Sequence, residues 1–110
     1  IQNPDISLVV AEDKNKLIAS GYALIRKNKA YKNPARFVFL GFMYVVPEYR
    51  GSGLNNKILN YLFEWGRERG LSEFQLDVYA PNESAIKAYK KAGFHFETIT
   101  MRLNTEQGMP

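Results

Sequence analysis

Val45-Val46-Pro47-Glu48-Tyr49-Arg50-Gly51-Ser52-Gly53-Leu54-Asn55 joins two segments of different character. Before it, Phe37 to Val46 (FVFLGFMYVV) is nearly all apolar and rich in aromatic and β-branched residues. Such a run suits a central strand buried on both faces, and Gly41 and Pro47 argue against a helix. After it, Leu54, Ile58, Leu59, Leu62, Phe63 and Trp65 recur at helical spacing as far as Gly70, the expected stop. A buried strand therefore runs through a glycine-containing turn into an amphipathic helix. The first amides of that helix have no backbone partner, and the helix dipole places about half a positive charge there. Gly51 and Gly53 keep side chains off the backbone, and Arg50 adds a cation, a combination that suits a pyrophosphate. A plain strand-to-helix turn with glycines explains the bare RGxG motif equally well. Neither GxxxxGK[ST] nor GxGxxG occurs in the chain.

Upstream, Ser7 to Ala11 reads as a strand, Asp13-Lys14-Asn15 as a polar turn, and Leu17 to Ile25 as a second strand, together a hairpin. Lys27 to Pro34 reads as a loop. Downstream, Phe74 to Val78 reads as another buried strand, followed by the turn Ala80-Pro81-Asn82. Asn82 is a good N-cap for a short helix carrying Ala85, Ile86, Tyr89 and Ala92, with Lys90 and Lys91 in its last turn and Gly93 at its end. Phe94 to Leu103 is strand-like, and Asn104 to Pro110 is a polar tail. The order strand, strand, strand, helix, strand, helix, strand predicts an α/β domain. Its central strand-helix-strand unit should be parallel and right-handed.

One hydrophobic core is what 110 residues can build. With 45% hydrophobic and 24% charged residues the composition is that of a globular domain, and no apolar run is long enough to span a bilayer. Ile1-Gln2-Asn3-Pro4-Asp5 lacks the pattern of a signal peptide, and the chain does not begin with Met. The absence of cysteine excludes disulfides and a covalent cysteine intermediate, and fits a cytoplasmic setting. With His95 the sole histidine, a His/Cys metal cluster is unavailable, and no metal is expected. A formal charge of +4 suits an anionic ligand, either a phosphorylated cofactor or nucleic acid. The basic residues are scattered, as on a solvated face, so nucleic acid ranks well below the cofactor.

The stretch Val45 to Gly53 reads VxPxxRGxG, and with the helix after it resembles the pyrophosphate signature of the GNAT superfamily of acyl-CoA N-acyltransferases. Leu76-Asp77-Val78, Asn82, Ser84-Ala85, Tyr89 and Gly93-Phe94 are similar to the family's later LxV…N…A…Y…GF segment. Both motifs, in this order and at this separation, are more specific than either alone, and the resemblance covers Ser7 to about Leu103. It implies a mixed, mainly antiparallel sheet with one splayed parallel pair and two flanking helices. It also implies a single GNAT domain over residues 1–110 that lacks the family's first strand and first two helices. Asn55 departs from the pattern, standing where a small residue is usual; its side chain would either crowd the phosphate or donate a hydrogen bond to it.

What the resemblance implies about function is direct transfer of an acetyl group from acetyl-CoA to an amine acceptor. A non-catalytic acyl-CoA-binding or regulatory domain is the alternative. The backbone of Met43, Tyr44 and Val45 would pair with the pantetheine arm. Arg50, Gly51, Ser52, Gly53, Leu54, Asn55 and Asn56 would surround the pyrophosphate. Asn82 would face the pantetheine or acetyl region, beside its plain reading as a helix cap. Tyr89 would assist the departing thiolate, with core packing as the plain reading. Asp77 would act as base, with a solvent-facing carboxylate as the plain reading. The acceptor's identity stays open, and so does homodimerisation.

Overall fold

The computed structural model describes residues 5–31 and 34–107, apart from the side chains of Phe42, Met43 and Gln107. Lys32 and Asn33 of the expected loop, Ile1 to Pro4, and the tail from Gly108 lie outside that set. The chain divides into two compact units, Ile1–Asp77 and Val78–Pro110.

In the first unit, β1 (Ile6–Asp13), β2 (Lys16–Lys27), β3 (Arg36–Val45) and β4 (Phe74–Leu76) form one sheet in the order β1-β2-β3-β4. The β1–β2 and β2–β3 pairs are antiparallel and β3–β4 is parallel. The hairpin turn puts Lys14 at φ 52° and Asn15 at φ 65°. Positive φ at both central residues is the type I′ geometry that matches the twist of paired strands. Two register shifts follow. One lies between Ala11 and Glu12 of β1, where their partners jump from Ala19 to Leu17 and leave Ile18 as the extra residue. The other falls between Ser20 and Tyr22, opposite Tyr44 and Gly41, and leaves Phe42 and Met43 as two residues against Gly21. Such bulges bend a strand and re-aim its groups. At Ile18 the carbonyl accepts from Val46 N–H at 2.8 Å, which extends the ladder one residue past β3.

The helix α1 (Leu54–Glu68) buries Ile58, Leu59, Leu62, Trp65 and Gly66, the stripe expected from its spacing. These join Ile18, Ala19, Ala23, Phe37, Val38, Leu40 and Leu71 in the core. Phe63 meets the Phe74 ring edge-on at 4.9 Å. A Cβ at Gly66 would lie 2.8 Å from the Phe74 ring and 3.1 Å from Val38 Cγ2, so helix and sheet approach more closely there than any side chain permits. Past the helix, Gly70 N–H donates to Arg67 O and Leu71 N–H to Gly66 O, a Schellman ending that turns the chain into β4.

Two expectations need correction. The strand expected over Phe74 to Val78 stops at Leu76, leaving Asp77 exposed beyond it. Phe94 to Leu103 forms no strand, and Phe96, Ile99, Met101 and Leu103 are exposed. A period-2 pattern makes a strand only where a neighbouring edge satisfies its backbone. The central strand is also less enclosed than its composition suggests: Val38 and Leu40 are buried, but Tyr44 is about half exposed. Among the described residues no helix is long and apolar enough to cross a membrane.

Gly66→Ala should destabilise the fold by roughly 1–3 kcal/mol, as overpacking does. Urea unfolding would show it as a lower midpoint at unchanged slope.

Candidate functional site

The turn between β3 and α1 is built from the backbone outward. Pro47–Tyr49 forms one 3-10 turn, closed by Tyr49 N–H donating to Val46 O and Arg50 N–H to Pro47 O. Gly51 and Gly53 then adopt φ 82° and 81°, values that side chains strain to reach. A Cβ at either position would meet nothing within 4 Å. The open space on this side of the turn is therefore bounded by backbone rather than by side chains.

Gly53 is the N-cap of α1, with no side-chain cap and no acidic residue in the first turn. The first backbone bond into the helix runs from Lys57 N–H to Gly53 O at 3.2 Å. Among the described residues, the N–H groups of Leu54, Asn55 and Asn56 have no backbone acceptor. No acid within the first turn of α1 offsets the positive end of its dipole. Asn55 is half-buried, and its side-chain amide makes no hydrogen bond among the described residues.

Arg50 Nε donates to Val45 O at 2.9 Å, and its guanidinium carbon lies 5.6 Å from the centre of the Tyr44 ring. The cation is therefore held beside the end of β3 while remaining exposed. Ser52 Oγ donates back to Tyr49 O, so it is engaged within the turn. Tyr49 Oη donates to Asp13 Oδ2 of the β1–β2 hairpin. That bond, then burial, then the charges of Asp13 and Glu48 push the Tyr49 phenol above its usual pKa. Reading the motif passed over Tyr49, which fills one of its unspecified positions; nothing in the spacing pairs it with a residue 36 positions earlier.

The residues expected around a pyrophosphate, Arg50 to Asn56, do come together at this turn. Met43, Tyr44 and Val45 lie in the stretch of β3 beyond its parallel ladder, which ends at Leu40↔Leu76. Asp77 stands just past β4 and is exposed, so the burial that made a carboxylate there noteworthy is absent.

In the second unit, α2 (Glu83–Lys91) has Asn82 as N-cap, whose Oδ1 accepts from Ala85 N–H at 3.3 Å. Glu83 in its first turn and Lys90 and Lys91 in its last suit the dipole. Unlike α1, this helix start carries its own cap and its own anion. At the other end Gly93 N–H donates to Lys90 O and Phe94 N–H to Tyr89 O, with Gly93 at φ 111°: a second Schellman motif. Tyr89 and Phe94 are its apolar pair, their rings edge-on at 5.8 Å. Tyr89 is half-buried, and burial raises its phenol pKa above the usual value. Asn82 and Tyr89 sit at opposite ends of this helix, about 10 Å apart along its axis.

The acetyltransferase (GNAT) family profile matches residues 1–94. Thialysine N-epsilon-acetyltransferase of Sus scrofa is 40% identical over 58 residues, covering 53% of this chain and 34% of that protein. N-alpha-acetyltransferase 30 of Schizosaccharomyces pombe is 29% identical over 93 residues, covering 84% of this chain and 59% of that one. The matched stretches thus span about a third and about three fifths of the length of these two relatives. Glucosamine-6-phosphate N-acetyltransferase from Arabidopsis thaliana has the same fold, with a TM-score of 0.75 at 24% identity over 93% of this chain and 68% of that one. An aminoglycoside N-acetyltransferase in complex with CoA gives 0.78 at 22% identity, over 91% and 77%.

The raised Tyr89 pKa makes a stability prediction with a definite sign. A phenol that holds its proton more tightly when folded adds stability below the unfolded value of about 10. That contribution is lost as pH rises through the folded pKa. The difference in unfolding free energy between the unaltered protein and Tyr89→Phe should therefore be flat below about pH 10 and shift against the unaltered protein above it. Denaturant titrations across that range would read it, and the shared contribution of Tyr49 cancels.

Proposed function

The chain belongs to the acetyltransferase (GNAT) family, and on that footing we propose that it is the cofactor-binding part of an N-acetyltransferase moving an acetyl group from acetyl-CoA directly to an amine. The start of α1 carries this reading. Among the described residues its first amides lack backbone acceptors, no acid stands in its first turn, Arg50 is close by, and two positive-φ glycines leave the approach open. Those features suit a diphosphate. The names of the two relatives, an N-epsilon and an N-alpha acetyltransferase, support an amine acceptor. A cytoplasmic setting goes with that co-substrate.

In this reading the pyrophosphate sits on Arg50 to Asn56, and Asn55 turns its amide to a phosphate oxygen. The pantetheine arm extends the sheet along Met43, Tyr44 and Val45, and a backbone amide near Val45 stabilises the oxyanion. The amine nitrogen attacks the thioester carbonyl, the C–S bond breaks, and CoA leaves as a thiolate. Tyr89 donates a hydrogen bond to that sulfur. Its raised pKa keeps the phenol protonated and makes full proton transfer to a thiolate, whose acid has a pKa near ~8.5, still more uphill. Stabilisation through the hydrogen bond is the part left to it. An alkylammonium acceptor of pKa near ~10.4 is neutral in only about one molecule in 2,500 at pH 7, so a base or water must take its proton. Asp77 fills that role through its match to the motif, and its exposure lets the proton pass on to solvent. Asn82 keeps its cap and faces the pantetheine or acetyl group.

Gly53→Ala tests the phosphate turn. Its Cβ meets no protein atom, so the fold suffers only the strain of φ +81°, about 1–2 kcal/mol. Calorimetry should show clearly weaker CoA binding by the folded variant; unchanged affinity would remove the assignment. Gly53→Val adds β-branched strain and is the less clean test.

Tyr89→Phe keeps the ring against Phe94 and removes one hydroxyl. The expected loss is roughly 10²–10³ in turnover if Tyr89 assists the thiolate by its hydrogen bond, about 2.7–4 kcal/mol. A variant within a few-fold of the unaltered protein would sink that role. Asp77→Asn should lower amine turnover while keeping acetyl-CoA affinity. CoA binding without transfer to any amine in a broad panel would favour a binding domain instead.

A further inference from the structure

The turn that starts α1 has two glycines, and glycine-rich backbone gives up more conformational freedom on ordering than any other. Something must hold it in place if its amides are to converge on a ligand. Within the turn, Ser52 Oγ and Arg50 Nε bond to carbonyls only three and five residues away, which shapes it without anchoring it. Val46 N–H anchors its first residue to Ile18. Beyond Val46, Tyr49 ties the turn to another element by its side chain, through the bond to Asp13.

Asp13 is well placed for this. It is the last residue of β1, paired with Lys16 across the type I′ turn, so its backbone is held in the ladder at the turn end of the hairpin. Tyr49 closes the 3-10 turn, immediately before Arg50. A carboxylate near a diphosphate site would weaken binding by repulsion, so a role for it at this position must lie in what it accepts rather than in its charge.

We infer that Asp13 is a positioning residue for CoA, holding the phosphate-binding turn in its binding geometry by accepting the hydrogen bond from Tyr49. This rests on the reading of that turn as the pyrophosphate site. An order-imposing tether acts by preorganisation: it lowers the entropy still to be lost when the ligand arrives. Its effect should therefore fall on affinity for the cofactor and leave the chemical step alone.

Charge and acceptor separate cleanly by substitution. Asp13→Ala and Tyr49→Phe each break the bond; Tyr49→Phe should weaken CoA binding about tenfold in calorimetry on the full-length protein, and Asp13→Ala somewhat less, because it also removes a repelling charge. The double variant should be no weaker than either single one. Asp13→Asn keeps an acceptor oxygen and drops the charge, so it should bind CoA at least as tightly as the unaltered protein. In turnover, the two bond-breaking variants should raise KM for acetyl-CoA and leave kcat at saturation unchanged. Thermal melts establish that each variant is folded; should Asp13→Ala fail to fold, Tyr49→Phe, which loses one hydroxyl, carries the test. An Asn variant as weak as the Ala variant, or additive losses in the double variant, overturns the inference. So does CoA affinity that Tyr49→Phe leaves untouched, in which case the site itself stands. Failure of the unaltered protein to bind CoA would remove the site and the tether together.

Discussion

The close approach of α1 to the sheet at Gly66 is the contact from which the first unit takes its geometry. With Val38 and Phe74 as near as they are, one methyl more on the helix would push it off both strands. β3 and β4 lie side by side and parallel, and the helix connecting them must return over their surface. The depth of that packing sets the line of the helix axis. The axis in turn sets where the amides of Leu54 to Asn56, without backbone acceptors among the described residues, point, so a residue in the last turns of α1 governs the direction of its first.

The two helices show how differently a helix start can be finished. In α2, Asn82 and Glu83 satisfy and neutralise the N-terminus from within the chain. In α1, the cap is a glycine in the left-handed region, without a side chain to offer. Ser, Asp or Asn caps a helix only a few tenths of a kcal/mol better than glycine does, and at φ 81° a side chain would be strained. With no side-chain cap, no acid in its first turn and Arg50 just before it, this helix start is compatible with the anion site proposed for it. At their far ends both helices finish alike, with Schellman glycines at Gly70 and Gly93. There the requirement is structural in each case: one delivers the chain to β4, and the other clasps Tyr89 against Phe94.

Much of this was legible in the residues because it depends on local pattern. The apolar run into Pro47, the 3.6-residue stripe from Leu54 and the paired glycines each report a neighbourhood of a few residues. The end of β4 and the fate of Phe94 to Leu103 depend instead on whether another strand edge is available, and alternation in sequence carries no information about that. The same limit explains Asp77: its burial was inferred from a strand that in fact ends one residue before it. The bond from Tyr49 to Asp13 lies beyond pattern altogether. It exists because a hairpin turn and a helix-entry turn meet at one edge of the sheet, and only the register of β1, β2 and β3 brings them there.

That register is where the bulges matter. A regular ladder from Ile6 to Val45 would carry side-chain alternation unchanged to the end of β3. The extra residue at Ile18 and the pair at Phe42 and Met43 interrupt it on two adjacent strands, just before the turn that starts α1. Each shift exchanges which groups of the backbone face which neighbour. On β2, it frees the Ile18 carbonyl for Val46 and so stretches the pairing one residue beyond the strand. On β3, it falls where the parallel partner has already ended, so Gly41 to Val45 keep β2 on one side while the ladder with β4 is finished. Among the described residues this stretch of β3 is thus paired with β2 alone, and Arg50 and a helix N-terminus follow it immediately. In the proposed placement of CoA, the order of bulge, strand end, Arg50, glycines and helix runs parallel to the order thioester, pantetheine, diphosphate along the cofactor.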